Sequence, residues 1–206
     1  MKHQSVENMV IEETIIKSLG AKVKEYNVGD VIFSEGGAPL YYYQIIEGDV
    51  KVNNYNEDGK EMIQSILTKG QSVGEFLLFV DKLYPANAIA ITPCRILRLS
   101  KSKFLLLLEQ YPEVHVDIIQ SLADTMYFKF VMGQIFSTQN TSTKLKFLMD
   151  YLKSFQKDQS PFSFQIPLTR QQMASLTGLR VETTIRTLKM MEKDNIVKII
   201  NRKILY

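Results

Sequence analysis

The spacing of apolar residues changes along the chain, and each change predicts a different kind of element. Between Val6 and Leu19, the residues Met9, Val10, Ile15, Ile16 and Leu19 recur near helical spacing, and Gly20 can end the run; one helix is expected. From Ala21 the period shortens. Val23, Tyr26, Val28, Val31 and Phe33 predict short strands broken at Gly29-Asp30 and Gly36-Gly37, and Tyr41 to Ile46 predicts a strand that stops at Glu47-Gly48-Asp49. Val50 and Val52 alternate with Lys51 and Asn53, Asn56 to Gly59 predicts a hairpin turn, and Met62, Ile63, Ile66 and Leu67 form the return strand. Short strands at about ten-residue spacing point to a compact antiparallel barrel or roll. Gly74-Glu75 leads into Phe76 to Phe79, a short helix, and strands resume between Asn87 and Leu99. Ser100 or Ser102 is placed to cap a helix over Phe104 to Gln110.

The longest helix is expected from Glu113 to Ser137. Ile119, Leu122, Met126, Phe130 and Gly133 recur at three- and four-residue steps, with Tyr127, Val131 and Phe136 beside them. Apolar residues on more than one side of one helix call for a second covering surface, and parallel pairing with another copy of the chain supplies it. The polar run Ser137 to Thr143 predicts a hinge, Thr143 to Phe155 a helix, and Phe162 to Ile166 a short strand. Between Leu168 and Lys193 two short helices meet at Gly178, with Thr169 as the first cap and Met173, Ala174 and Leu176 facing inward. Val181, Ile185, Leu188 and Met191 give the second helix its apolar stripe. The tail from Ile196 to Tyr206 predicts a hairpin turning at Asn201-Arg202, a wing whose Lys198 and Lys203 suit phosphate contacts.

Charge sharpens this division. Residues 1–140 carry 13 Lys and Arg against 17 Asp and Glu, a net of −4; residues 141–206 carry 12 against 5, a net of +7. The basic segment is the one suited to a polyanion. On the second helix Arg180, Glu182, Thr183, Arg186 and Lys189 share the polar face. Arginine can donate two parallel bonds to guanine, and glutamate can accept from the cytosine amino group. The same Glu182–Arg186 spacing also suits an ordinary i, i+4 salt bridge. The glycine turn, the small Ala174 and the apolar stripe together favour DNA reading. A single cysteine, Cys94, excludes an intrachain disulfide. With no secretory signal and no apolar run of about 18 residues, a soluble cytoplasmic protein without membrane partners is expected.

Over its length the sequence resembles the Crp/Fnr family of bacterial transcription regulators. The resemblance is carried by GDVIFSEGGAPLYYYQIIEGDVKV, by VGEFLLF, and by LTRQQMASLTGLRVETTIRTLKMMEKDNIV. It implies an α+β chain: a cyclic-nucleotide-binding-type β roll (a double-stranded β-helix or jelly roll) over 1–111, a dimerisation helix and hinge over 112–140, and a winged helix-turn-helix over 141–206. It also implies a homodimer on an inverted-repeat operator in double-stranded DNA, RNA polymerase as a partner, and a small-molecule effector. Carried over residue by residue, Glu182 and Arg186 match the family's base-reading pair, and Thr169, Arg170, Arg180, Thr183, Lys198 and Lys203 complete the expected DNA-contact set. Thr184 stands where relatives usually place a larger aliphatic residue.

The effector pocket departs from the pattern. Gly74 and Glu75 match, but Pro85 and Ala86 stand where relatives that bind cyclic AMP carry an arginine and a small hydroxyl residue. Without that cation an anionic ligand is disfavoured. Lys129 and Phe130 fall where those relatives place small hydroxyl residues against the base, so a bulky side chain is expected to fill the pocket. One cysteine is too few for an iron–sulfur cluster, and His3 and His115 are the only histidines for a haem, so no cofactor or metal is expected. A barrel metalloenzyme would need clustered ligands on its strands, and none of its strands carries a histidine. A ligand-independent regulator, or an adaptor that binds proteins through the same fold, is the alternative; the basic C-terminal third weighs against the adaptor.

Overall fold

The computed structural model describes residues 10–206 and divides into two units, one reaching to Thr125 and the other spanning Met126–Tyr206. The first unit opens with α1 (Glu13–Ser18), shorter than the pattern suggests; the expected start at Val6 and His3 lie outside the described residues. Strands β1 (Lys22–Tyr26), β2 (Val31–Phe33), β3 (Tyr41–Glu47), β4 (Val50–Tyr55), β5 (Glu61–Leu67), β6 (Asn87–Ala90) and β7 (Cys94–Ser100) follow, with a 3-10 helix at Glu75–Leu78 between β5 and β6. Helices α2 (Lys101–Gln110) and α3 (Val114–Ser137) come next. Ser100 is the N-cap of α2, but its hydroxyl bonds no helix amide and lies 3.4 Å from that of Ser102.

Two antiparallel sheets make the roll, ordered β1-β7-β3 and β2-β6-β4-β5. The β4–β5 hairpin turns at Asn56, whose side chain accepts from the Lys60 amide at 2.8 Å. Strand alternation divides the core in two. On β3, Tyr42 faces the helices and Tyr43 the roll interior; on β7, Leu97 and Leu99 join the first set, Cys94 and Ile96 the second. Ile11, Ile16, Phe104, Leu107, Val114 and Ile118 complete the helix-side cluster, and Tyr42 stacks on Phe104 at 4.6 Å.

The second unit carries the last part of α3, then α4 (Thr141–Lys153), α5 (Arg170–Thr177), α6 (Val181–Lys193) and a hairpin of β8 (Lys198–Ile200) and β9 (Lys203–Leu205). Asn140, in the polar run after α3, caps α4 by accepting from the Thr143 amide at 3.0 Å. The strand expected over Phe162–Ile166 does not form as such. Phe162 sits at φ 62°, outside the extended region, and Pro161 and Pro167 bracket the segment. Phe164 and Ile166 still bond to Tyr206 and Ile204, leaving one bridge between Gln165 and Leu205. Leu145, Leu148, Met173, Leu176, Leu188 and Ile204 are fully buried around this core.

Candidate nucleic-acid interface and effector domain

α5 starts with a reciprocal cap: Thr169 Oγ1 accepts from the Gln172 amide at 3.1 Å, and Gln172 Oε1 accepts from the Thr169 amide at 2.8 Å. It ends at Gly178, where φ is 71° and an added Cβ would lie 3.2 Å from the Phe136 ring. The turn therefore favours glycine for its backbone, and a larger residue would also press on the Phe136 ring. α6 then buries Thr184, Thr187, Leu188 and Met191, so the inner stripe runs through two threonines while Val181 and Ile185 stay half-buried. Both hydroxyls are satisfied: Thr184 donates to the Arg180 carbonyl at 3.1 Å, and Thr187 lies 3.1 Å from the Thr141 hydroxyl. Back-bonding satisfies the Thr184 hydroxyl at this buried position.

The outer face of α6 exposes Glu182, Arg186, Lys189, Met190 and Lys193, which with Ile185 line one shallow groove. Arg180 is exposed at the N-cap and Thr183 is half-buried. The salt bridges of the described residues join Lys17 to Glu13, Lys51 to Glu61, Arg95 to Glu47 and Lys146 to Asp150; Glu182–Arg186 is not among them. Two expected contacts are engaged within the protein. Arg170 Nη1 donates to the Arg202 carbonyl at 3.0 Å, and Lys198 Nζ lies 4.3 Å from the centre of the Phe162 ring. Lys203 is exposed.

In the β roll, Gly74 takes φ 72° ahead of the 3-10 helix, and Glu75 behind it is 4% exposed. Burial pushes the Glu75 carboxyl above its ordinary range, opposed by bonds from its own amide and from the Ser72 and Ser121 hydroxyls. The Tyr42 phenol is pushed up as well, by burial and then by the Glu75 charge. Glu75 thus faces protein hydroxyls from the preceding loop and from α3. Beside it the rings of Phe33 and Tyr84 stack at 3.7 Å, and a Cβ on Gly74 would meet them at 3.1 and 3.2 Å. Tyr43 lies 6.0 Å from Phe33, its phenol pushed up to about 12 by burial. Ala86 points inward and Pro85 outward. Lys129 and Phe130 belong to the other unit, where Phe130 is 66% exposed. Sequence reasoning missed the Phe33–Tyr84 pair, whose members lie 51 positions apart and share no local pattern.

Along α3, Ile119 and Met126 are as open as Phe130, Leu122 is partly buried against the helix-side core, and a Cβ on Gly133 would meet nothing within 4 Å. Among the described residues no three His, Cys, Asp or Glu side chains converge as metal ligands, and no helix is long and apolar enough to cross a membrane.

A cyclic nucleotide-binding domain matches residues 23–111 and a Crp-like helix-turn-helix domain matches residues 145–206. The cAMP-activated global transcriptional regulator CRP of Pasteurella multocida is 32% identical over 174 residues, covering 79% of this chain and 78% of the relative. The chain belongs to the Crp/Fnr family of transcription regulators. This Crp/Fnr regulator also shares its fold with a CooA mutant from Carboxydothermus hydrogenoformans, at a TM-score of 0.82, 15% identity and coverage of 98% of this chain and 93% of that one. The c-di-GMP responsive regulator CLP of Xanthomonas campestris aligns at a TM-score of 0.76 with 20% identity, covering 93% and 97%. The protein is accordingly a DNA-binding transcription regulator with a cyclic-nucleotide-binding-type effector domain, and not an enzyme.

Proposed function

We propose that this regulator works as a homodimer paired along α3, reads an inverted repeat with the outer face of α6, and no longer responds to cyclic AMP or cyclic GMP. The exposed, unpaired Glu182 and Arg186 carry the base-reading assignment, with Arg180 and Thr183 beside them and Lys203 on the backbone. The open apolar positions Ile119, Met126 and Phe130 support pairing. The Pasteurella relative is cAMP-activated, but here the Phe33–Tyr84 stack closes against Gly74, and Pro85 and Ala86 offer no cation for a phosphate.

Enrichment of random duplexes by the purified protein tests the reading. The expected product is an inverted repeat with half-site centres about 34 Å apart. Arg186→Ala is expected to lose sequence preference while keeping salt-sensitive nonspecific binding, since one bidentate base contact contributes about 1–3 kcal/mol of discrimination. An equally sharp motif from the variant would overturn the assigned face. Calorimetric titration with cyclic AMP and cyclic GMP is expected to show no saturable binding tighter than about 10 μM.

A further inference from the structure

Three tyrosines inside the β roll hold hydroxyls that the protein does not use. Tyr26, Tyr43 and Tyr84 are each no more than 5% exposed. Tyr42 and Tyr206 donate to protein acceptors, whereas these three hydroxyls make no hydrogen bond among the described residues. Nor are their oxygens sealed in, since Asn53 Oδ1 is the one fully buried, unpartnered side-chain nitrogen or oxygen among the described residues. Buried phenols normally find a partner, so three that keep only a little open space in front of them are a set of waiting donors. A cation faces the same space. Alternation on β7 turns Cys94, Ile96 and then Arg98 inward, and Arg98 sits in register between Lys22 on β1 and Tyr43 on β3. Its guanidinium is half-buried, 4.3 Å from the centre of the Tyr41 ring, and enters none of the salt bridges of the described residues. Burial pushes the Tyr26 and Tyr43 phenols up and the Arg98 charge opposes it at both, while Tyr84 is raised by burial and then by Tyr43. Lys22, directly across from Arg98, carries the same sign, a cross-strand pairing that costs stability unless an anion lies between.

We propose that the roll binds a small carboxylic acid with an apolar body, its carboxylate held by Arg98 and by the hydroxyls of Tyr26, Tyr43 and Tyr84. An ionised carboxylate only accepts hydrogen bonds, which is what phenols and a guanidinium with no other partner offer. The guanidinium fork matches its two oxygens. One half-buried cation balances one negative charge, so a monocarboxylate fits where a dianionic phosphate would stay under-compensated. The surroundings of the cation set the rest of the ligand: Phe33, Tyr41, Val52 and Leu67 are partly buried around the same interior and offer it apolar surface. The anchor stands on the β1-β7-β3 sheet and not at Pro85 and Ala86. The inference rests on the roll as an effector domain that no longer takes a cyclic nucleotide.

Isothermal titration of the full chain with benzoate and with hexanoate tests this at neutral pH. At least one of the two is expected to bind saturably. Benzamide, which keeps the ring without the charge, and acetate, which keeps the charge without the body, should each bind roughly 10-fold more weakly or worse. Arg98→Gln should weaken the bound acid by roughly 10-fold or more. Tyr43→Phe removes a hydroxyl that has no partner in the protein, so its melting temperature should hold or rise while acid affinity falls roughly 3-fold or more. That split is one a merely structural tyrosine would not show, and Tyr43→Phe decides alone if Arg98→Gln fails to fold. No saturable binding of either acid, equal binding of benzamide or of inorganic phosphate, or native acid affinity in the variants would overturn the proposal. Cyclic AMP is titrated in parallel: saturable binding that persists in Arg98→Gln would overturn the lost nucleotide site and leave the carboxylate site standing.

Discussion

Glu75 is a carboxyl whose setting has been turned inward. Its partners are Ser72, Ser121 and its own amide. Because burial raises its pKa, the folded chain holds the proton more tightly than the unfolded one. The stability tied to that proton is fully present below the ordinary carboxyl value of 4.5 and is lost as pH rises through the higher folded value. Glu75→Gln cannot ionise. Its melting temperature relative to native is therefore expected to improve as pH rises from about 4.5 and to level off once the native carboxyl is ionised. Thermal melts across about pH 4 to 8 check this, and a constant difference would remove the buried acid from the account. At the same scale, Thr184 shows why residue type alone misleads: a hydroxyl that bonds the carbonyl of Arg180 is no longer polar in its packing.

At the scale of elements, α5 shows how two roles compete for one residue. Thr169 belongs to the expected DNA-contact set, but its hydroxyl oxygen accepts from Gln172 in a complete capping box. Thr169→Ala should cost about 1 kcal/mol of stability, the usual cost of a lost threonine cap. Denaturant unfolding of the full chain measures it. A stability loss without a matching loss of affinity for duplex DNA would assign the residue to the helix start rather than to phosphate. The wing is the second case. Its lysines read in sequence as free cations, yet Lys198 lies over Phe162, so the surface offered to a nucleic acid differs from the count of basic residues.

For the whole molecule, the open face of α3 sets the expected assembly. Met126, Tyr127 and Phe130 are all more than 60% exposed, an apolar stripe that water covers at a cost unless another surface does. Phe130→Asp should place an uncompensated charge in that seam and convert a sedimenting dimer to monomer, with loss of affinity for the inverted repeat and retention of weak half-site binding. A native chain that sediments as a monomer at micromolar concentration would refute the paired reading. The split of charge, −4 up to Asn140 and +7 beyond it, keeps the polyanion contact on the C-terminal part in either case.

Local pattern carried much of this protein. Period-2 alternation on β4, the helical period of α3, the Gly178 turn and the polar face of α6 all depend on neighbours within a few residues, so they were legible in the chain. The missing strand over Phe162–Ile166 was not, because a positive φ at Phe162 leaves the segment only backbone bonds to a distant β9. The site divides in the same way. Glu182 and Arg186 could be singled out from their spacing, whereas the Phe33–Tyr84 stack, the Ser121 hydroxyl near Glu75 and the Arg170 bond to Arg202 join residues 32 or more positions apart. Contacts of that range follow from how strands and helices close on one another, which only the tertiary structure decides, because no local period encodes which side chains meet.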